Sequence, residues 1–142
     1  MTHFRHVPPI KTVMTPFPLA VSVHDSALHA RDMMREHKVR HLPVKNQHEL
    51  VGILSERDLR TCDASELPHR TVAEFYADRA YTVESEEPLD NVLGAMADLH
   101  IGAALVVHKG HLAGIFTTTD ACRWFATYLH EQFRPAPGND VA

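Results

Sequence analysis

The chain has 142 residues, of which 44% are apolar and 23% charged, and its formal net charge is −4 at pH 7. This length and composition are those of one ordinary globular domain and argue against a disordered chain. The acidic balance argues against a nucleic-acid-binding protein, which would have a basic face. No stretch resembles a signal peptide or a membrane-spanning helix, so we expect a cytoplasmic protein with neither nucleic-acid nor membrane partners.

The first half of the chain shows the pattern of a strand, a helix, two strands and a second helix. Residues 1–11 precede this pattern and lack periodicity, which predicts an extended surface arm. Residues 12–67 predict a strand at 19–23, an amphipathic helix at 27–37, strands at 40–44 and 50–54, and a short helix that includes Leu59 and Cys62. The polar turn between the two adjacent strands favours a hairpin, although the pattern alone leaves a parallel arrangement open.

The second half repeats this order. A capping-box pattern at 71–74 is followed by a predicted strand at 80–83, a helix at 89–99, strands at 103–107 and 112–116, and a longer last helix. The segment Met34–Asp58 aligns onto Met96–Asp120 without a gap. A half of about 60 residues buries too little surface to be stable alone. We therefore predict an α/β (α+β) fold in which two β-α-β-β-α repeats, 12–67 and 68–133, pack through their sheets with pseudo-twofold symmetry, before a mobile tail at 134–142.

The last helix has an apolar stripe at helical spacing. Its members are Ala121, Trp124, Phe125, Tyr128 and Leu129. We expect part of the stripe to lie in the core. The stripe is larger than a small monomer usually hides on one helix, so we predict that the remainder forms a homodimer contact.

Cysteine and histidine offer no metal or disulfide motif. Cys62 and Cys122 are too few for a disulfide framework, and we expect both to be reduced thiols on helices. The chain has twelve histidines but no His-Glu-x-x-His motif. His37 and His41 have helical spacing, but Pro43 and its apolar neighbours place His41 at the start of a strand. We predict no metal site and expect solvated histidines on the surface and in loops; the sequence leaves open whether they make the protein sensitive to pH.

The motif Gly-x-x-(Ser/Thr)-x-x-Asp occurs twice, at Gly52–Asp58 and Gly114–Asp120, sixty-two positions apart. Each copy ends an apolar strand and begins a helix, and each satisfies a capping box on its own. The glycine permits close approach of a backbone or a ligand. The helix N-terminus favours an anion, and the carboxylate could accept two hydrogen bonds from ribose hydroxyls, each contributing roughly 1.5–3 kcal/mol.

With Arg40-His41-Leu42-Pro43-Val44 added, the duplicated pattern resembles a tandem pair of cystathionine β-synthase (CBS) domains, also called a Bateman module, over about residues 10–130. The resemblance implies a stand-alone regulatory module that requires no cofactor. Such a module binds AMP, ADP, ATP or S-adenosylmethionine in the clefts between its repeats, as an energy sensor does, and signals to a separate, unidentified protein.

The resemblance also implies roles for particular residues. Asp58 and Asp120 would hold ribose hydroxyls with Ser55 and Thr117 beside them, while Arg40 and His41 would face phosphates. The adenine pockets would combine Asp58 with Ala80 and Tyr81, and Asp120 with Thr15, Pro18 and Leu19. The second repeat has Gly102-Ala103-Ala104-Leu105 in place of the basic pair and proline, so the two clefts are unequal and either one or two sites would be occupied.

Two alternatives remain open from the sequence. A ligand-free interaction module would use the last helix to dimerise or to dock. A small nucleotide-using enzyme could employ Asp58 and Asp120 as catalytic carboxylates. The chain has no nucleophile-elbow triad, Walker loop or zinc motif, and symmetric carboxylates at helix starts suit ligand holding better, so we expect no catalytic residues.

Overall fold

The computed structural model describes residues 5–134, so the start of the predicted arm and the predicted tail from 135 onward lie outside the described residues. The strands are β1 (Thr15–Pro16), β2 (Val21–Ser22), β3 (His41–Asn46), β4 (Glu49–Ser55), β5 (Thr82–Glu84), β6 (Ala103–His108) and β7 (His111–Thr117). The α-helices are α1 (Ala27–His37), α2 (Glu56–Leu59), α3 (Leu89–Leu99) and α4 (Thr118–Phe133), and short 3-10 helices span Ile10–Thr12, Ala64–His69 and Val72–Glu74.

The two long helices of the repeats begin and end where the periodicity predicts. In α1 the Ser26 hydroxyl caps the start by accepting a hydrogen bond from the backbone N–H of His29 at 3.0 Å. Both helices end at a residue in the left-handed conformation, Lys38 for α1 and His100 for α3. Their buried positions include Met34 and Met96, which the internal alignment makes equivalent.

The strands form two sheets, one per repeat, with the same antiparallel hairpin in each. The orders are β2-β3-β4 and β1-β7-β6-β5. Leu42 lies opposite Leu54 in the first hairpin, and Ala104 lies opposite Phe116 in the second. This equivalence confirms the hairpin interpretation and excludes the parallel alternative for both strand pairs.

The repeats exchange their first segments. Thr15 of β1 pairs with Ile115 in the sheet of the second repeat, and Ala77 pairs with Ile53 in the sheet of the first. The predicted surface arm is therefore wrong at its end, because Ile10 is fully buried and its N–H donates to the carbonyl of Glu87 at 2.8 Å. The exchange therefore joins the two repeats through backbone pairing and through the packing of Ile10.

The two sheets pack face to face, which confirms the predicted architecture. Between them lies an apolar cluster of Ala103, Leu105 and Ile115 with Leu50, Ile53, Ala80 and Leu112 packed against it. Each repeat has one further apolar cluster, which lies between its helices and its sheet. A three-cluster core of this kind explains why neither half needs to be stable alone.

Some local predictions are wrong. Helix α2 ends at Leu59, so Cys62 lies beyond it in a bend, half-buried, whereas Cys122 lies on α4 as expected. Ala80 and Tyr81 precede β5 instead of belonging to it. Within the described residues, no helix is both long and apolar enough to span a membrane.

Candidate ligand-binding site

The two motif copies form matching capping boxes where a strand meets a helix. In the first, Asp58 Oδ2 accepts from the backbone N–H of Ser55 at 2.9 Å, and Ser55 Oγ accepts from the N–H of Asp58 at 3.1 Å. In the second, Asp120 Oδ2 accepts from the N–H and the hydroxyl of Thr117, both at 2.9 Å. One oxygen of each carboxylate is therefore used in the cap, which fixes the side chain at the helix start. The other oxygen of Asp120 lies 3.5 Å from Arg123 Nη1, one turn further along the helix.

The motif glycines lie where the exchanged segments cross the sheets. A Cβ on Gly52 would lie 2.1 Å from the carbonyl oxygen of Ala77. A Cβ on Gly114 would lie 2.9 Å from the carbonyl oxygen of Thr15. Of the two explanations that the sequence left open for these glycines, close approach of a backbone is the one present in the structure.

A cavity of about 440 Å³ opens between the repeats beside the first capping box, and we call it the central cavity. It is lined by Arg40, His41, Ser55, Glu56, Arg57, Arg60, His100, Ile101, Gly102 and Thr118. Three arginines and two histidines face a single carboxylate, that of Glu56, and this carboxylate is paired with Arg60. The cavity therefore has a positive potential suited to an anion.

His41 reaches from the first repeat to the second. Gly102 makes room for it, because a Cβ there would lie 3.3 Å from His41 Cε1. Burial lowers the pKa of the His41 imidazole below its ordinary value of 6.5, the Asp58 carboxylate opposes this shift, and Arg40 adds to it. His41 is therefore held neutral in the folded chain over a wider range of pH than in the unfolded chain.

This depressed pKa makes the stability of the fold dependent on pH. As pH falls through 6.5, the unfolded chain protonates His41 before the folded chain does, so the free energy of unfolding decreases. We expect His41→Gln to remove this component: the stability difference between wild type and variant should be constant above pH 7.5 and shrink towards pH 5. Urea unfolding at a series of pH values measures it, with His69→Gln at an exposed site as the control for the substitution. A difference that does not change with pH would contradict the assignment.

The family model for the CBS domain matches the chain twice, at residues 10–65 and 72–127. The chain belongs to the CBS domain family. The two matches correspond to the two repeats, which confirms the predicted tandem pair. CBS domains are generally regulatory modules.

Similar proteins extend this result. Hypoxic response protein 1 of Mycobacterium tuberculosis is 27% identical over 117 residues, covering 80% of this chain and 82% of that protein. A CBS domain pair solved in complex with 5′-methylthioadenosine and S-adenosyl-L-methionine is 25% identical, with a TM-score of 0.76, and the match covers 87% of this chain and 99% of that one. The CBS domain of a bacterial CNNM/CorC family Mg²⁺ transporter, solved in complex with ATP, is 25% identical, with a TM-score of 0.75 and coverage of 84% and 87%.

The structure brings some of the predicted CBS site residues together. Arg40, His41 and Ser55 line the central cavity. Ala80 lines a different cavity, of about 670 Å³, together with Gly52. Asp58 and Thr117 flank the central cavity through their neighbours Arg57 and Thr118 without lining it.

The remaining predicted residues lie near the second capping box or away from the first. Thr15 is exposed and pairs with Ile115, next to the strand end that leads to Asp120. Pro18 is half-buried and Leu19 exposed in the segment that follows. Tyr81 packs against the core of the second repeat, and burial followed by the charge of Glu87 raises the pKa of its phenol.

Seven residues of the central cavity were not among the predicted site residues: Glu56, Arg57, Arg60, His100, Ile101, Gly102 and Thr118. Arg57 and Thr118 stand directly beside the motif residues, so their position at a helix N-terminus could have indicated them. His100 and Gly102 lie in the turn after α3, and only the packing of the repeats brings them to the cavity. Within residues 5–134 no three potential ligands cluster as a metal site would require.

Proposed function

We propose that this CBS pair is a regulatory module that binds an adenosyl ligand, AMP, ADP, ATP or S-adenosylmethionine, between its repeats and signals to a separate protein. The observation on which the proposal rests is the basic central cavity beside a carboxylate held at a helix start. The cavity supplies cations for phosphates, and Asp58 supplies an acceptor for ribose hydroxyls. Solved relatives in complex with ATP and with S-adenosyl-L-methionine support the ligand class.

The two halves of the proposed site differ in charge. Arg40 and His41 of the first repeat correspond to Gly102 and Ala103 of the second, so the cations of the central cavity come mainly from the first repeat. A ligand with two or three phosphates would therefore bind more tightly at the site beside Asp58 than at the site beside Asp120. We propose that the site at Asp58, with Ser55, Ala80 and Tyr81, is the stronger one, and that the site at Asp120, with Thr117, Thr15, Pro18 and Leu19, is weaker for phosphorylated ligands.

A thermal-shift panel tests the proposal. AMP, ADP, ATP, S-adenosylmethionine and NADH, each at millimolar concentration, are added to the purified protein. A ligand at 100 times its Kd should raise the free energy of unfolding by about 2.7 kcal/mol. ATP should give a larger shift than AMP if the cations contact phosphates, and added salt should reduce the difference. If no adenosyl compound shifts the Tm, the ligand-free interaction module replaces this proposal.

The proposed module also forms a homodimer through α4. Helix α4 has no buried residue, and Phe125, Tyr128 and Leu129 are 61%, 40% and 40% exposed. Phe125 and Tyr128 line an apolar cavity of about 510 Å³ together with Leu93 and Trp124. This apolar surface on α4 would be buried best against another apolar surface. A second copy of the chain presents the same surface, so the two copies can pack in an isologous contact.

We expect Phe125→Glu to convert the dimer to a monomer, because each glutamate would be buried without a partner. Sedimentation velocity at several concentrations measures the change. Phe17→Glu is the matched control, since Phe17 is 94% exposed on another part of the chain and its replacement should leave the dimer intact. A wild-type chain that sediments as a monomer at high concentration would contradict the dimer proposal and leave ligand binding unaffected.

Catalysis receives no support from the described site. Both motif carboxylates use an oxygen in backbone capping, which gives each of them a structural role at a helix start. Product formation from any ligand in the panel would restore the enzymatic alternative.

A further inference from the structure

The first repeat has a further cavity, of about 440 Å³, between α1, α2 and the 3-10 helix that follows. We call it the α1–α2 groove. It is lined by these helices and by the connecting residues that follow α1 and α2, and its charged lining residues are Arg31, Arg35, Lys38, Arg40, Glu56 and Arg60. The volume lies within the range of about 300–1,000 Å³ that is typical of small-molecule sites.

The groove is strongly basic. Four arginines and one lysine line it, against a single carboxylate, Glu56, which is paired with Arg60. Among the described residues, no carboxylate lies within ion-pair distance of Arg35, Lys38 or Arg40. A chain with a net charge of −4 has thus collected five cations in one concave surface. Mutual repulsion makes this arrangement unfavourable unless an anion offsets it.

Arg31 provides a second and independent observation. Its Nε is buried and has no hydrogen-bond partner in the described structure, while its Nη2 lies 3.3 Å from Asp32 Oδ1 at the surface. Buried N–H groups are nearly always paired. An unpaired guanidinium nitrogen among the lining residues indicates that an acceptor belongs there.

The equivalent surface of the second repeat shows that the fold does not require this basic character. Leu93, Ala97, Gly102 and Cys122 stand at the positions of Arg31, Arg35, Arg40 and Arg60. Two of these four residues, Leu93 and Cys122, line the apolar cavity beside α4. The two repeats share a fold, but this surface is basic in the first repeat and apolar in the second. Only the basic surface suits an anion.

We propose that the α1–α2 groove is a second binding site, for a small phosphate-bearing anion, distinct from the adenosyl site between the repeats. Arg31 Nε and the guanidinium of Arg35 donate to its oxygens, with Lys38 adding charge. Arg40, Glu56 and Arg60 line both the groove and the central cavity. Occupancy of the groove therefore alters the electrostatic field at the adenosyl site, so the two ligands bind with energetic coupling.

Tripolyphosphate, which has no adenosyl group, is the probe. Its binding to the full chain is measured by calorimetry and by amide chemical-shift changes in α1 and at 64–69. The double variant Arg31→Gln with Arg35→Gln removes two groove cations without touching the central cavity, and we expect at least a tenfold loss of affinity at this site. Arg57→Gln changes the central cavity alone and should leave the shift changes in α1 intact. Ala97→Gln is the matched control, at the position of the second repeat that is equivalent to Arg35.

The single variant Arg35→Gln guards against misfolding, because Arg35 is exposed, and it should weaken the probe on its own. The proposal is overturned if Arg57→Gln abolishes binding while the double variant binds normally, since the anion then occupies only the central cavity. It is overturned equally if tripolyphosphate does not bind at millimolar concentration. Binding of an acidic peptide, with no binding of tripolyphosphate, would assign the groove to a protein partner instead. ATP binding that persists in any of these cases leaves the adenosyl proposal standing.

Discussion

Replacing both Asp58 and Asp120 with asparagine is expected to abolish the rise in Tm that ATP produces. In the proposed complex each carboxylate accepts charge-assisted hydrogen bonds from ribose hydroxyls, and such bonds contribute roughly 1.5–3 kcal/mol each. Asparagine keeps one acceptor oxygen for the cap but loses the charge and turns a donor towards the ligand. A 100-fold loss of affinity would reduce the stabilisation at a given ATP concentration from about 2.7 to about 0.4 kcal/mol. For a chain of this size the shift would fall from about 10 °C to one or two degrees.

The unliganded protein should change little, because Ser55 and Thr117 still accept hydrogen bonds from the helix N–H groups. Alanine at the same positions would remove the carboxylate half of each capping box and lower the stability of the unliganded protein, typically by about 1 kcal/mol. A smaller ATP shift could then no longer be attributed to binding alone. Asp90→Asn is the matched control, since Asp90 lies in the first turn of α3 outside the motif. A double variant that keeps the full ATP shift would disprove ribose contacts at these aspartates.

The single variants report on the inequality of the two sites. Asp58 stands next to Arg57, which lines the central cavity, whereas the position equivalent to Arg57 is Thr119. We therefore expect Asp58→Asn to remove most of the ATP shift and Asp120→Asn to remove less.

The sequence was sufficient for the parts of the fold that depend on local pattern. Helices α1 and α3 match the predicted bounds because apolar residues at steps of three and four mark one buried face, with Met34 and Met96 at its centre. The hairpins and capping boxes were likewise predictable, since each depends on residues close together in the chain. The internal repeat supported these predictions, because each local pattern occurs in both halves of the chain.

The parts that were missed depend on contacts distant in sequence. Nothing near Ile10 indicates that it inserts into the core of the second repeat, because its partners are supplied by α3 and the sheet seventy or more residues later. The central cavity likewise combines Arg57 and Arg60 with His100 and Gly102. Such juxtapositions follow from the exchange of first segments, and composition or periodicity does not encode them.

The exchange of first segments between the repeats makes Gly52 sensitive to substitution. Its backbone is not in the left-handed conformation, so an alanine is excluded only by the space that its Cβ would need. The nearest atoms are the Ala77 carbonyl oxygen at 2.1 Å and Tyr76 Cδ2 at 2.7 Å. Since the first of these is backbone, the crossing segment has to move, and overpacking of this kind costs about 1–3 kcal/mol.

We therefore expect Gly52→Ala to destabilise the protein by about 2–3 kcal/mol in urea unfolding. Gly114→Ala should cost less, because its closest neighbour is the flexible Met14 side chain, although the Thr15 carbonyl oxygen at 2.9 Å is also tight. Gly94→Ala is the control: nothing lies within 4 Å of its Cβ in α3, so helix propensity should make it stabilising by about 0.5–1 kcal/mol.

The ranking of these three variants distinguishes two roles for the motif glycine. If the glycine makes room for the crossing segment, Gly94→Ala should be the most stable variant, Gly114→Ala the next and Gly52→Ala the least stable. Ligand affinity should then change only because the segment 77–81 has moved. If it serves direct ligand approach, Gly52→Ala should keep wild-type stability and lose ATP binding. The contact with a backbone oxygen favours the first outcome, in which glycine lets the exchanged segment cross the sheet and brings Ala80 to the cavity that Gly52 also lines.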